Sequence, residues 1–185
     1  MQLVSRSELL DYQTYNDQRD AIRSRVMAVK QPRRIHVGEL LTFLFENAET
    51  LRYQIQEIMR AERIVREKDI QHELETYNGL LGGEGQLGCC LLIEVDDPAE
   101  RRQRLREWRD LPRYLYMRFS DGSTQAPEFD EAQMDAEKLS AVQYLKFTVG
   151  NRTPVALGSN LPQLKVEVAL TPEQRAALAS DLASY

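Results

Sequence analysis

Cysteine is nearly missing from this chain of 185 residues: there are two, Cys89 and Cys90, side by side. Adjacent cysteines build no disulfide framework and lack the C-x-x-C spacing of redox and zinc motifs, so they fit a reducing compartment. Histidine is equally scarce, with only His36 and His72. No apolar run approaches the roughly 18 residues of a membrane helix. Met1–Glu8 has no apolar signal-peptide core, which makes the cytoplasm the expected location. The 9 Gly and 7 Pro are too few to suggest disorder. Positive charge is not in excess either: 24 Lys plus Arg stand against 29 Asp plus Glu, a net charge of -5. That balance argues against non-specific nucleic-acid binding. Gly82–Gly83–Glu84–Gly85 matches neither a dinucleotide fingerprint nor a Walker loop, and reads as a turn.

What is present is enough for a real core. Hydrophobic residues make up 42% and charged residues 29%. The length fits a single domain over 1–185. Charge is uneven: residues 1–34 carry seven Lys/Arg and four Asp/Glu, a net of +3, which leaves -8 for the remainder. The acidic excess is heaviest in 121–140, and Asp121–Glu137 reads as an acidic loop. Hydrophobic spacing predicts helices over about 7–31, 48–66 and 69–81, a sheet-rich part over about 87–170, and a helix over about 172–183. Within these, Arg34–Val37, Gly38 and Leu40–Phe45 read as a hairpin. Arg113–Phe119 reads as a strand, and Val155–Leu157 as a short edge segment. Few strict β–helix–β crossovers occur. The expected fold is therefore α+β, with a helical N-terminal half packed on a mostly antiparallel or mixed sheet.

Two helices hold the candidate site residues. In the first, Tyr12, Arg19, Arg23 and Lys30 fall within about 20° of one direction on a helical wheel. Pro32 should end this helix before Arg33 and Arg34. In the second, Asn47 is a candidate N-cap. Ile55, Ile58, Glu62 and Val65 lie within about 40° of Leu51 on the helical wheel, which places Glu62 inside an apolar stripe. A carboxylate there must lose its charge or find a partner. Tyr53–Glu57 and Glu57–Arg60 have the spacings of side-chain pairs. In the third helix, Asp69 and His72 can reach one ion together, and Glu62 and Glu73 complete a candidate metal set for Fe or Mn.

The stretch Arg33-Arg34-Ile35-His36-Val37-Gly38, followed by Phe45-Glu46-Asn47, Thr50, Tyr53-Gln54, Glu57 and Arg60-Ala61-Glu62-Arg63-Ile64, resembles a bacterial family called domain of unknown function 3501. Tyr12, Arg19 and Lys30 also match its opening helix, and Glu73, Tyr77 and Asn78 its next motif. The resemblance implies an accessory or binding role beside rubrerythrin-like proteins and iron–sulfur oxidoreductases, in iron- or peroxide-linked redox metabolism. A homo-oligomer is a further expectation. Two alternatives stand beside the accessory role. One is a metal-dependent oxidoreductase or metal-handling protein that uses Glu62, Asp69, His72 and Glu73. The other is an anion-binding protein that uses Arg19, Arg23, Lys30, Arg33 and Arg34, which face Glu46, Glu57 and Glu62 unless left open.

Overall fold

Alternation of apolar and polar residues builds two antiparallel sheets in the computed structural model, which describes residues 3–131 and 137–184. The first has five strands in the order β1 (Arg34–Val37), β2 (Leu41–Phe45), β3 (Gln86–Ile93), β7 (Val142–Thr148), β6 (Glu128–Phe129). The second has four, β5 (Thr124–Gln125), β4 (Leu115–Phe119), β8 (Pro154–Leu161) and β9 (Leu164–Ala169). Their inner faces share the main core, in which Phe43, Phe45, Phe147, Met117, Leu157 and Trp108 are almost completely buried. Successive strand residues point to opposite faces. Ile35, Val37 and Phe43 therefore enter the core, while Arg34, His36, Thr42 and Leu44 lie on the outer face of the β1–β2 hairpin. The α+β architecture read from the sequence is the one observed, with its strands divided between two antiparallel sheets.

Helices α1 (Tyr12–Lys30), α2 (Ala48–Glu62) and α3 (Glu67–Asn78) supply a second, smaller cluster around Leu51, Ile55, Met59, Ile70 and Leu74. The predicted first helix is interrupted. Arg6–Glu8 forms a separate turn of 3-10 helix, and Asp11, not Ser7, caps α1 by accepting from the Thr14 N–H at 2.9 Å. Pro32 sits in the single 3-10 turn Gln31–Arg33 that ends α1. Asn47 caps α2 as its position suggests, accepting from the Thr50 N–H at 3.0 Å. The second helix stops at Glu62, four residues early, because Arg63 adopts the left-handed conformation with φ 54°.

Two strand readings change. Arg113 and Tyr114 belong to the short helix α5 (Leu111–Tyr114), favoured by Pro112 in its first turn. Val155–Leu157 is no edge: it lies within β8, between β4 and β9. Gly158 makes that interior position accessible, because an added Cβ would sit 2.5 Å from the Tyr116 hydroxyl. The acidic loop contains β5 and β6, and its residues 132–136 lie outside the described residues. Helix α4 (Pro98–Glu107) places Leu105 and, just beyond its end, Trp108 in the core. No helix is long and apolar enough to cross a membrane among the described residues.

One ion pair fastens the chain's end to this frame. Helix α6 (Pro172–Leu182) presents Asp181, whose two oxygens accept from Nε and Nη2 of Arg33, both at 2.8 Å. The side chains are 10% and 5% exposed. Arg33 also donates to the Val29 carbonyl at 2.7 Å, and the Asn47 amide donates to Asp181 at 3.0 Å. Removing one partner strands the other charge out of water. Asp181→Ala should therefore cost about 3–5 kcal/mol in urea denaturation. Arg6→Gln, which breaks the exposed pair with Glu67, should cost at most about 1 kcal/mol.

Candidate functional site

The predicted polar residues divide into two groups with different electrostatics. The first lies between α1 and α2 and is internally neutralised. Arg19 donates two hydrogen bonds to Glu57, each at 2.8 Å. The Tyr15 hydroxyl donates to the same carboxylate at 2.7 Å. Arg60 approaches Glu57 at 3.8 Å. The Arg19 guanidinium is the largest influence on Glu57 and holds its carboxyl down at about 2. Burial and the donated hydrogen bond push the Tyr15 phenol upward. Arg23 donates to the Tyr53 hydroxyl at 3.1 Å, and the Lys30 ammonium lies over the Tyr53 ring, 5.7 Å from its centroid. Gln54 lies instead near Tyr77 of α3. Tyr12 is exposed at the start of α1.

The second group surrounds a cavity of about 450 Å³ between the end of α1, the outer face of the hairpin and the start of α6. Lys30, Arg34, His36, Glu46 and Gln174 line it, and Leu44 and Met27 supply apolar wall. Glu46 continues the outward series of β2, and its backbone N–H donates to the Gly88 carbonyl at 3.0 Å. Gly88 must be glycine where it passes Leu80, since a Cβ there would meet the Leu80 carbonyl oxygen at 2.0 Å. The Thr50 hydroxyl donates to Glu46. Burial is the largest influence on Glu46 and raises its carboxyl above the ordinary range. Asp181 adds to that, while Lys30, the Thr50 hydroxyl and Arg33 oppose it. Across the hairpin, Thr42 lies opposite His36. The Thr42 oxygen is 2.8 Å from His36 Nδ1 and 2.6 Å from Glu94 Oε2.

The expectation for Glu62 is overturned. The side chain is exposed and does not sit in a buried polar centre. The helical wheel assumed that α2 runs on through Val65, whereas the turn at Arg63 leaves Glu62 as the last helical residue, beyond the last buried one, Met59. Val65 is 70% exposed. Glu62, Asp69, His72 and Glu73 do share an open surface depression, together with Lys68. They do not make a metal site: among the described residues, no group of three or more His, Cys, Asp or Glu is arranged to hold an ion.

Arg33, expected among the site's basic residues, is consumed by Asp181. Asn47 joins that pair as well as capping α2. Asp181 had no local signal, being 148 residues away from Arg33. The pairing of His36 with Thr42 did have one, because the hairpin's alternation places residues 36 and 42 on one face. Cys89 is buried and Cys90 half-buried. Burial pushes Cys90 up to about 11 and Cys89 well above the ordinary thiol range, so both remain protonated and unreactive near neutrality.

Fold and cavity together define an α+β protein with a basic pocket on the outer face of a hairpin. The chain belongs to the family described as protein of unknown function DUF3501, whose model matches residues 3–182. It is also similar to a novel protein of unknown function from Burkholderia pseudomallei K96243, known from a crystal structure at 1.90 Å resolution. Identity is 29%, the match covers 98% of this chain and 100% of the other, and the TM-score is 0.90. No curated protein matches.

The neutralised group has a pH signature. Glu57 is lowered from 4.5 to about 2, so its contribution to stability is complete above about pH 4.5 and is lost as pH falls through about 2. Glu57→Gln should destabilise the protein by about 1–3 kcal/mol at pH 7. The difference from the native protein should shrink on acidification toward pH 2, as read by urea denaturation across that range.

Proposed function

We propose that the protein binds a small organic anion in the cavity beside the β1–β2 hairpin. One observation carries this reading. Neither Lys30 nor Arg34 makes an ion pair among the described residues, although Arg19, Arg25, Arg33 and Arg52 of the same region do. Two basic side chains thus line an open cavity instead of answering a protein carboxylate at contact distance. The cavity's volume of about 450 Å³ falls in the range of small-molecule sites, roughly 300–1,000 Å³. Its mixture of apolar wall and a few polar groups is also the usual make-up of such sites.

Glu46 tempers the basic field. Ionised, it competes with an anion for Lys30; protonated, it offers a hydrogen bond and no repulsion. Its upward shift favours the second state more than in a free glutamate. The cavity therefore suits a ligand of modest negative charge, a carboxylate in preference to a polyphosphate.

The accessory role in iron- or peroxide-linked redox metabolism, with rubrerythrin-like or iron–sulfur partners, has the family resemblance as its support. The geometry speaks for the binding reading, and an anion-binding accessory protein satisfies both.

Calorimetric titration with succinate at pH 7 tests the proposal. Saturable binding is expected. Lys30→Met and Arg34→Met should each weaken it about tenfold, the loss of one charge-assisted hydrogen bond. Glu46→Gln should bind at least as tightly as the native protein, because it removes the competing charge. Unchanged affinity in both Lys30→Met and Arg34→Met would rule out this cavity as the site.

A further inference from the structure

The cavity holds one group that anion binding alone does not use. His36 is set on its rim by a chain of two further side chains, and a count of protons fixes its chemistry. The Thr42 hydroxyl has a single proton. Both of its neighbours are at hydrogen-bond distance: Glu94 Oε2 at 2.6 Å and His36 Nδ1 at 2.8 Å. A carboxylate only accepts, so the Thr42 proton goes to Glu94. Thr42 must then accept from His36, and the ring proton belongs on Nδ1. Thr42 is 0% exposed, so water does not compete for its hydroxyl. In the neutral ring this leaves Nε2 with its lone pair, on the edge turned away from Thr42. The logic is that of a base oriented by a third group.

We infer that His36 is the proton acceptor of the cavity, and that the ligand is a hydroxylated carboxylate. Its anionic end meets Lys30 and Arg34, and its hydroxyl donates to Nε2 of His36. Thr42 and Glu94 are positioning residues that hold the ring in the accepting tautomer. Arg34 and His36 lie two residues apart on the outer face of β1, about 7 Å along the strand. Both residues line the same cavity, so one small hydroxy acid can meet both. The inference rests on the anion-binding reading and names the ligand class within it.

Two measurements test it, both on the full chain. The first needs no ligand. In His72→Gln, which leaves His36 as the sole histidine, long-range proton–nitrogen NMR should report the Nδ1–H tautomer near neutrality. Thr42→Val should abolish that preference. A native Nε2–H tautomer overturns the inference. The second is calorimetric titration with malate and succinate, which differ by one hydroxyl. Malate should bind about 3- to 10-fold more tightly, the gain from one neutral hydrogen bond. His36→Leu should bring the affinity for malate down to that for succinate. His36 is exposed, so this variant should fold normally. Thr42→Val should narrow the difference. Equal affinities in the native protein, or a malate preference that survives His36→Leu, overturn the inference and leave anion binding standing. Failure of both acids to bind overturns both.

Discussion

A guanidinium cannot stay buried without an anion, and the placement of Arg33 therefore governs the geometry around it. Its partner arrives from the far end of the chain on α6, and Asn47 ties the start of α2 to the same carboxylate. Three segments thus meet at one bidentate ion pair: the turn after α1, the beginning of α2, and the C-terminal helix. The residues flanking that turn inherit their positions from it. Lys30 precedes Arg33 and Arg34 follows, and both line the cavity. Gln174 of α6 completes the wall and reaches the Arg34 carbonyl. The pair need not stabilise the fold more than an apolar substitute would. Its consequence is positional, because any conformation that separates α6 from the hairpin leaves a charge unanswered.

The same logic separates scaffold from site. Between α1 and α2, Glu57 is satisfied by Arg19 and Tyr15, and its depressed pKa reports a carboxylate in a stable, closed arrangement. At the cavity the balance is incomplete. Glu46 is half-buried and displaced in the opposite direction, and the nearby lysine and arginine are not drawn into ion pairs among the described residues. The neutralised group holds the two helices together, and the open one faces the hairpin's outer surface.

Much of the fold was readable because its signals are local. Asn47 caps α2 where its position suggests, and Pro32 ends α1. The hairpin around Gly38 follows from two short apolar runs and a positive φ of 66°. Readings failed where local pattern met a tertiary decision. Glu62 shares the phase of the apolar stripe, but it is the last residue of α2, past Met59, where burial on that helix ends. The metal set fell with it, since it relied on Glu62 turning inward toward α3. Of the site, the basic residues Lys30 and Arg34 and the acid Glu46 were visible, and so was their facing one another, whereas what fixes that geometry was not. It depends on Asp181, which no sequence spacing connects to Arg33. His36 was visible as a scarce residue type within the predicted hairpin, and its role emerges from its cross-strand neighbour.

The most direct test of this account is a crystal structure of the protein grown with malate. The account predicts the acid in the cavity, with one carboxylate between the Lys30 ammonium and the Arg34 guanidinium and its hydroxyl within hydrogen-bond reach of His36 Nε2, while Arg33 remains paired with Asp181. A cavity closed by a direct Lys30–Glu46 ion pair, with malate elsewhere on the surface, would contradict it.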